Sequence, residues 1–293
     1  MITKELKEKV LAGLAERRAN FTGSDAKFAV SLGINGAQYN RIKNGELEHV
    51  LSNANWISLA RRLDVSLSNL PEWKTASTPV YEFITEQLTY CQRQGESRLL
   101  CDVADIGKTY TAKCYVKTNK NAVYVDCSQV KTKQKLIRYI AKEFGVGVSG
   151  WYPDVYDDLV FYLKTLPTPL IILDEAGDLS YEAFLELKAL WNATEHCCGW
   201  YMMGADGLKE KIRRSIDFKK VGYAELFSRY GSCYQKTSPD GADEMKRFKT
   251  VLAALIIRAN SADAENADVQ KLIMRSDYSL RRIYSEINKL HIA

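Results

Sequence analysis

Four short apolar stretches, separated by segments of helical periodicity, constrain this chain more than any other feature. They are RLLCDV at 98–103, NAVYVDC at 121–127, PLIILDE at 169–175 and GWYMMGA at 199–205. Runs of this length, rich in aliphatic and aromatic residues, read as buried strands rather than helices. Helical patterns lie at 80–94, from Thr109 onward, and at 131–144, 154–166 and 180–194. Strand and helix in alternation predict an α/β fold: a mostly parallel sheet with helices on both faces.

The alternation stops short of both ends. Residues 1–70 carry short helical patterns and no strand, 71–79 are small, polar and proline-bearing as a linker would be, and from about 236 the chain is helical again. The expected organisation is therefore an all-α unit (1–70), a linker (71–79), an α/β core (80–235) and a small helical lid (236–293). An apolar content of 46% supports packed cores throughout. The longest apolar run, 251–257, is too short to span a bilayer, and the charged N-terminus lacks the apolar centre of a signal peptide. The expectation is a cytoplasmic protein with no membrane partner. Seven scattered cysteines without a C-x-x-C pair suggest neither a disulfide framework nor a zinc site. A net charge of +5 is compatible with a polyanionic partner without requiring one.

Within 1–70, Ser24 or Asp25 can cap a helix through AKFAVSLGI, Asn35-Gly36 offers a turn, and AQYNRIKNG gives a second helix that Gly45 stops. A third follows in LSNANWISLARRLDV. Ala29, Leu32, Ile34 and Ile42 can form the apolar seam of the helix pair. That leaves Gln38, Tyr39, Asn40, Arg41 and Lys43 for an exposed face suited to base edges and phosphates. The punctuation resembles the Cro and phage-repressor type of helix-turn-helix.

The chemistry is concentrated in two places. Gly107-Lys108-Thr109 follows a strand and opens a helix, the context in which backbone N–H groups and a helix N-terminus hold phosphates. Lys108 would lie along the phosphates and the Thr109 hydroxyl would ligate Mg²⁺. About 65 residues on, an apolar strand ends in Asp174-Glu175, a pair suited to holding Mg²⁺ (Asp174) and activating a water (Glu175). The full phosphate-loop pattern, G-x-x-x-x-G-K-[ST], has a first glycine where this chain has Asp102. Its side chain is expected to turn outward, leaving the loop to work through Gly107.

GKT, IILDE, MMGAD, LFSRYG and SLRR stand in the order found in AAA+ ATPases of the initiator and clamp-loader type, which the chain resembles. With the helix-turn-helix in front and the small lid behind, it is similar to the Mu B type of transposition ATPase. The resemblance implies an AAA+ phosphate-loop core binding ATP and Mg²⁺. The nucleotide would lie over Asp105, Ile106, Gly107, Lys108, Thr109 and Tyr110. Asp174 and Glu175 would form the second nucleotide motif, and Asp206 would sense the γ-phosphate. Arg229 would be an arginine finger, and Arg281 or Arg282 would reach back from the lid. The implied function is a largely non-sequence-specific ATPase that oligomerises on double-stranded DNA, delivers it to a transposase, and comes apart on hydrolysis. Two other readings stand beside it: a helix-turn-helix transcription regulator with a nucleotide switch, and a degenerate nucleotide fold serving as a scaffold.

Overall fold

The structure, a computed structural model, describes residues 3–65, 73–261 and 266–292. Pro71, where the linker is expected to begin, lies outside the described residues. Four helices open the chain: α1 (Lys4–Ala19), α2 (Asp25–Leu32), α3 (Gly36–Lys43) and α4 (Asn53–Arg62). Ser24 caps α2, its side chain accepting from the Lys27 N–H. The turn between α2 and α3 differs from the sequence expectation. Gly33 makes it, closing α2 in the left-handed region at φ +68°, while Asn35 caps α3 in a capping box with Gln38. Phe28, Leu32, Tyr39, Ile42, Trp56 and Leu59 fill the core of this unit.

Next come α5 (Pro79–Gln94), β1 (Ser97–Cys101), α6 (Lys108–Thr118), β2 (Ala122–Asp126), α7 (Lys133–Glu143) and α8 (Tyr152–Thr165). After them run β3 (Leu170–Asp174), a 3-10 turn (Ala176–Asp178), α9 (Tyr181–Ala193), β4 (Gly199–Gly204), α10 (Asp206–Asp217) and α11 (Tyr223–Arg229). The strands pair in parallel in the order β1-β4-β3-β2. Alternate residues serve opposite faces, as the pleat requires. Val123, Val125, Ile171, Leu173 and Met202 face one core with α7, α8 and α9, whereas Leu100, Ile172, Tyr201 and Met203 face another with α5 and α6. Asp126 stands opposite Asp174 in the register, and Cys101 opposite Gly204.

Two features lie outside the sequence expectation. Residues 206–217 form α10, which seats Leu208 and Ile212 against the core. Beyond α11, Gln235 adds one parallel rung to the open edge of β1: its N–H donates to the Leu99 carbonyl (2.8 Å) and its carbonyl accepts from Cys101 (3.0 Å). This rung is the rudiment of a fifth strand, and the lid follows it: α12 (Ala242–Asn260), α13 (Asn266–Arg275) and α14 (Leu280–Ile292), joined by a cluster of Ile257, Val269, Ile273, Ile283 and Ile287.

The N-terminal unit rests on the core through α2 and α7. Arg17 pairs with Glu143 (2.5 Å), Lys117 pairs with Asp64 (3.1 Å), and Lys27 sits 3.4 Å over the Tyr162 ring. Among the described residues no helix is long and apolar enough to cross a membrane.

Candidate nucleotide site and nucleic-acid face

With β4 between β1 and β3, the loop leaving β1 and the acids ending β3 flank a common crevice at the carboxyl ends of the strands. Open parallel sheets bind ligands in such a place. Between Cys101 and Lys108 the backbone turns through two left-handed residues, Asp105 (φ +62°) and Gly107 (φ +99°). At Gly107, the N-cap of α6, an L side chain would be strained. No side chain caps α6. Its first N–H groups and the positive end of its dipole are therefore presented to the crevice. The Lys108 ammonium, buried, donates to the carbonyls of Asp102 (2.7 Å) and Val103 (2.6 Å). Burial lowers its pKa, against the opposing charges of Asp102, Asp174 and Glu175.

Asp174 is 1% exposed, yet both its oxygens are satisfied. Oδ1 accepts from the Glu175 N–H (2.9 Å), and Oδ2 accepts from the Thr109 hydroxyl (2.6 Å) and the Tyr124 hydroxyl (2.9 Å). Thr109 and Asp174 thus meet directly, with 65 residues of chain between them. Glu175 sits in the left-handed region at φ +51°. Burial, and then the neighbouring Asp174 charge, raise its pKa while Lys108 lowers it. A carboxylate so placed is a stronger base than a solvated one. Oxygen ligands from a hydroxyl and a carboxylate suit Mg²⁺, which takes few protein ligands and completes its shell with phosphate and water. The donor set fits a Mg²⁺-nucleotide.

Tyr124 has no counterpart in the sequence reading. In NAVYVDC it looks like one more strand aromatic. Only the register, which puts Asp126 beside Asp174, shows that a hydroxyl two residues back on the same face reaches that carboxylate.

A cleft of about 1860 Å³ runs from this centre between the N-terminal helices, the core and the lid. Asp105, Ile106, Gly107, Lys108, Thr109, Tyr110, Glu175 and Arg281 line it. The Ile106 side chain is buried beneath the loop, and the Tyr110 hydroxyl hydrogen-bonds to Thr75 (2.7 Å). Arg281 is held against the loop: its N–H donates to Asp105 Oδ1 (3.3 Å), and its Nε lies 3.8 Å from the same oxygen. Arg282, one residue further round α14, is exposed, and its backbone N–H donates to the Ser279 hydroxyl (3.3 Å). Asp206 is the exposed first residue of α10, two residues past the carboxyl end of β4, where an acid favours the helix dipole. Arg229 lies elsewhere in the same chain, its guanidinium bonded to Asn192 Oδ1 (2.7 Å) and the Glu225 carbonyl (2.8 Å).

The expectation that Asp102 turns outward is overturned. The side chain points inward, 1% exposed, and the carboxylate accepts from the N–H groups of Val103 (2.8 Å), Thr237 (2.6 Å) and Ser238 (3.0 Å), from the Thr237 hydroxyl (2.6 Å) and from the Ser238 hydroxyl. Burial pushes its pKa up, and the combined hydrogen bonds from Ser238 and Thr237 outweigh it, leaving the group below its ordinary value.

On α3, Tyr39 does not face solvent. It is 1% exposed and packs edge-on against Phe28 (5.4 Å between centroids) because it falls on the same helix face as Ile42. Gln38 is engaged in the capping box. Arg41 pairs with Glu46 (2.8 Å) and Lys43 with Asp25 (2.9 Å), both exposed pairs that exchange readily for other anions.

The site thus sits on a parallel sheet ordered β1-β4-β3-β2, with a phosphate-type loop after β1 and a carboxylate pair after β3. Residues 92–212 match the model of a family described as an AAA domain. No curated protein matches the chain. Among solved structures, the Aeropyrum pernix ORC1 protein in complex with DNA is similar, at 16% identity over 77% of this chain and 68% of that one, with a TM-score of 0.47.

Proposed function

We propose that the chain is an ATPase that binds ATP with Mg²⁺ at the Lys108–Asp174 centre, assembles with copies of itself on double-stranded DNA, delivers that DNA to a transposase, and leaves it on hydrolysis. The observation that carries this reading is the meeting of Lys108, Thr109, Asp174 and Glu175 at the carboxyl ends of β1 and β3. In this reading the free N–H groups at the start of α6 cradle the phosphates. Lys108 exchanges its two carbonyl partners for phosphate oxygens, and Arg281 exchanges Asp105 for phosphate. Thr109 and Asp174 hold Mg²⁺, which when bound neutralises charge on the phosphates. Glu175 orients the attacking water and accepts its proton. The function further divides the chain into a DNA-contacting unit (1–70), a linker (71–79), a nucleotide core (80–235) and a lid (236–293), with Gln38, Arg41 and Lys43 of α3 toward DNA.

The test measures binding to random-sequence duplex DNA with and without ATP and Mg²⁺, alongside phosphate release and electron microscopy of the complexes. ATP-stimulated, weakly selective binding with visible assemblies is expected. Absence of ATP binding overturns the reading. A second reading, a transcription regulator with a nucleotide switch, draws on the α2–turn–α3 geometry, and a sharp preference for one short operator would select it.

A further inference from the structure

Replacing the first glycine of a phosphate loop by aspartate looks like a defect, and the geometry around Asp102 says otherwise. Its φ is not among the left-handed ones, so the side chain costs the loop no strain there. The carboxylate takes four hydrogen bonds from Thr237 and Ser238, which lie 135 and 136 residues away in sequence. Those two residues stand in the short segment from the Gln235 rung to α12, the root of the lid. The same aspartate's carbonyl accepts from the Lys108 ammonium (2.7 Å). One residue therefore grips the lid root with its side chain and the loop's only lysine with its backbone. A glycine could make the second contact but not the first.

We propose that Asp102 is a positioning residue that makes the nucleotide loop and the lid root one mechanical unit. When Lys108 leaves the Asp102 and Val103 carbonyls for a phosphate, the change at residue 102 is passed to Thr237 and Ser238 and so to α12. A buried, fully hydrogen-bonded carboxylate suits this role, because breaking its bonds one at a time leaves buried donors unpaired, so the group moves as a whole. Asp105 makes a second tie, to Ser279 (2.7 Å) and Arg281 at the far end of the lid, so the loop is joined to the lid at both of its ends. The proposal rests on the nucleotide-binding reading above.

The experiment is hydrogen–deuterium exchange on the full chain, with and without a non-hydrolysable ATP analogue and Mg²⁺, in wild type, Asp102→Gly and a Thr237→Ala/Ser238→Ala double variant. In wild type the nucleotide is expected to change protection both in the loop at 103–110 and at the lid root at 236–245. In Asp102→Gly the loop still responds and the lid-root response is lost. The double variant keeps Asp102 and the two backbone N–H bonds, and should show a reduced lid-root response with an unaltered loop response; it carries the test if Asp102→Gly does not fold. A lid root that responds in both variants as in wild type overturns the proposal alone. A wild-type loop that does not respond to nucleotide overturns the nucleotide reading and the proposal with it.

Discussion

Two adjacent carboxylates end β3, and their surroundings give them different work. Asp174 is held by three donors, whereas Glu175 contributes its own N–H to its neighbour and has its carboxyl pKa raised by burial and by the Asp174 charge. Glu175→Gln should retain ATP and slow hydrolysis by about a hundredfold or more, the usual cost of losing a general base; single-turnover phosphate release measures it. A base must be ionised to act, so wild-type activity falls as the pH drops through its pKa. Because that pKa is raised above the ordinary 4.5, the acid limb of the rate profile should lie on the alkaline side of 4.5. Lys108→Ala should abolish nucleotide binding, since the loop has no other lysine. Tyr124 bears on the metal. When Thr109 turns its oxygen to Mg²⁺, Asp174 loses one donor and Tyr124 becomes the hydroxyl that keeps it oriented. Tyr124→Phe removes a bond worth about 1 kcal/mol, so half-saturation by Mg²⁺ should rise about fivefold while metal-free nucleotide affinity stays put. Unchanged Mg²⁺ dependence would show that Thr109 alone suffices.

At the scale of elements, the strands are legible because each is a short apolar run, and their pleat alternation is what the two sheet-facing cores use. The loop and the β3 acids are legible because their chemistry is local: a glycine that must turn, a lysine, a hydroxyl, two acids ending an apolar strand. What the sequence hides is what tertiary pairing decides. Segment 206–217 is not hidden in this sense: among the many charges of DGLKEKIRRSID, Leu208, Ile212 and Ile216 recur at every fourth residue, a stripe that lies on the core. The partners of Asp102 lie more than a hundred residues away, and no spacing rule finds them. Tyr39 departs from its expected place because it lies three residues before Ile42 on the same face of α3, where it meets the Phe28 ring. Its buried hydroxyl finds no acceptor among the described residues. Tyr39→Phe should therefore leave thermal stability unchanged or raise it by about 1 kcal/mol, the desolvation cost removed, and should leave DNA affinity untouched. Arg41 and Lys43 are the opposite case, exposed cations whose present partners are surface acids. Replacing both by alanine should reduce the salt slope of DNA binding by roughly 0.9 for each phosphate no longer neutralised. An unchanged slope would move the DNA-binding face off α3.

At the scale of the whole molecule, the arrangement leaves the nucleotide site one-sided. Lys108, Asp174 and Glu175 approach from the core and Arg281 from the lid, while Arg229 belongs to another part of the surface. Its partner Asn192 is in α9 beside Trp191, whose indole N–H donates to the Ser97 hydroxyl at the start of β1 (2.7 Å). The nucleotide loop leaves the other end of that strand, roughly 13 to 17 Å away at about 3.3 Å per residue. Arg229 therefore serves the start of β1, and a role in hydrolysis requires the site of a second copy. Its present bonds, to one amide oxygen and one carbonyl, are neutral and exposed, so they exchange for a phosphate without leaving a buried charge behind. A finger supplied in this way contributes about 10³ to 10⁵ in rate. Arg229→Ala should bind ATP nearly as wild type and fail to hydrolyse it, and Lys108→Ala should fail at binding. Mixed together, the two variants form some interfaces in which an intact loop meets an intact arginine, and part of the ATPase activity should return, rising with the fraction of mixed interfaces. Activity that stays absent while co-assembly is demonstrated by electron microscopy would remove Arg229 from the role and turn attention to Arg213 and Arg214, which lie exposed on α10 and pair with Glu210.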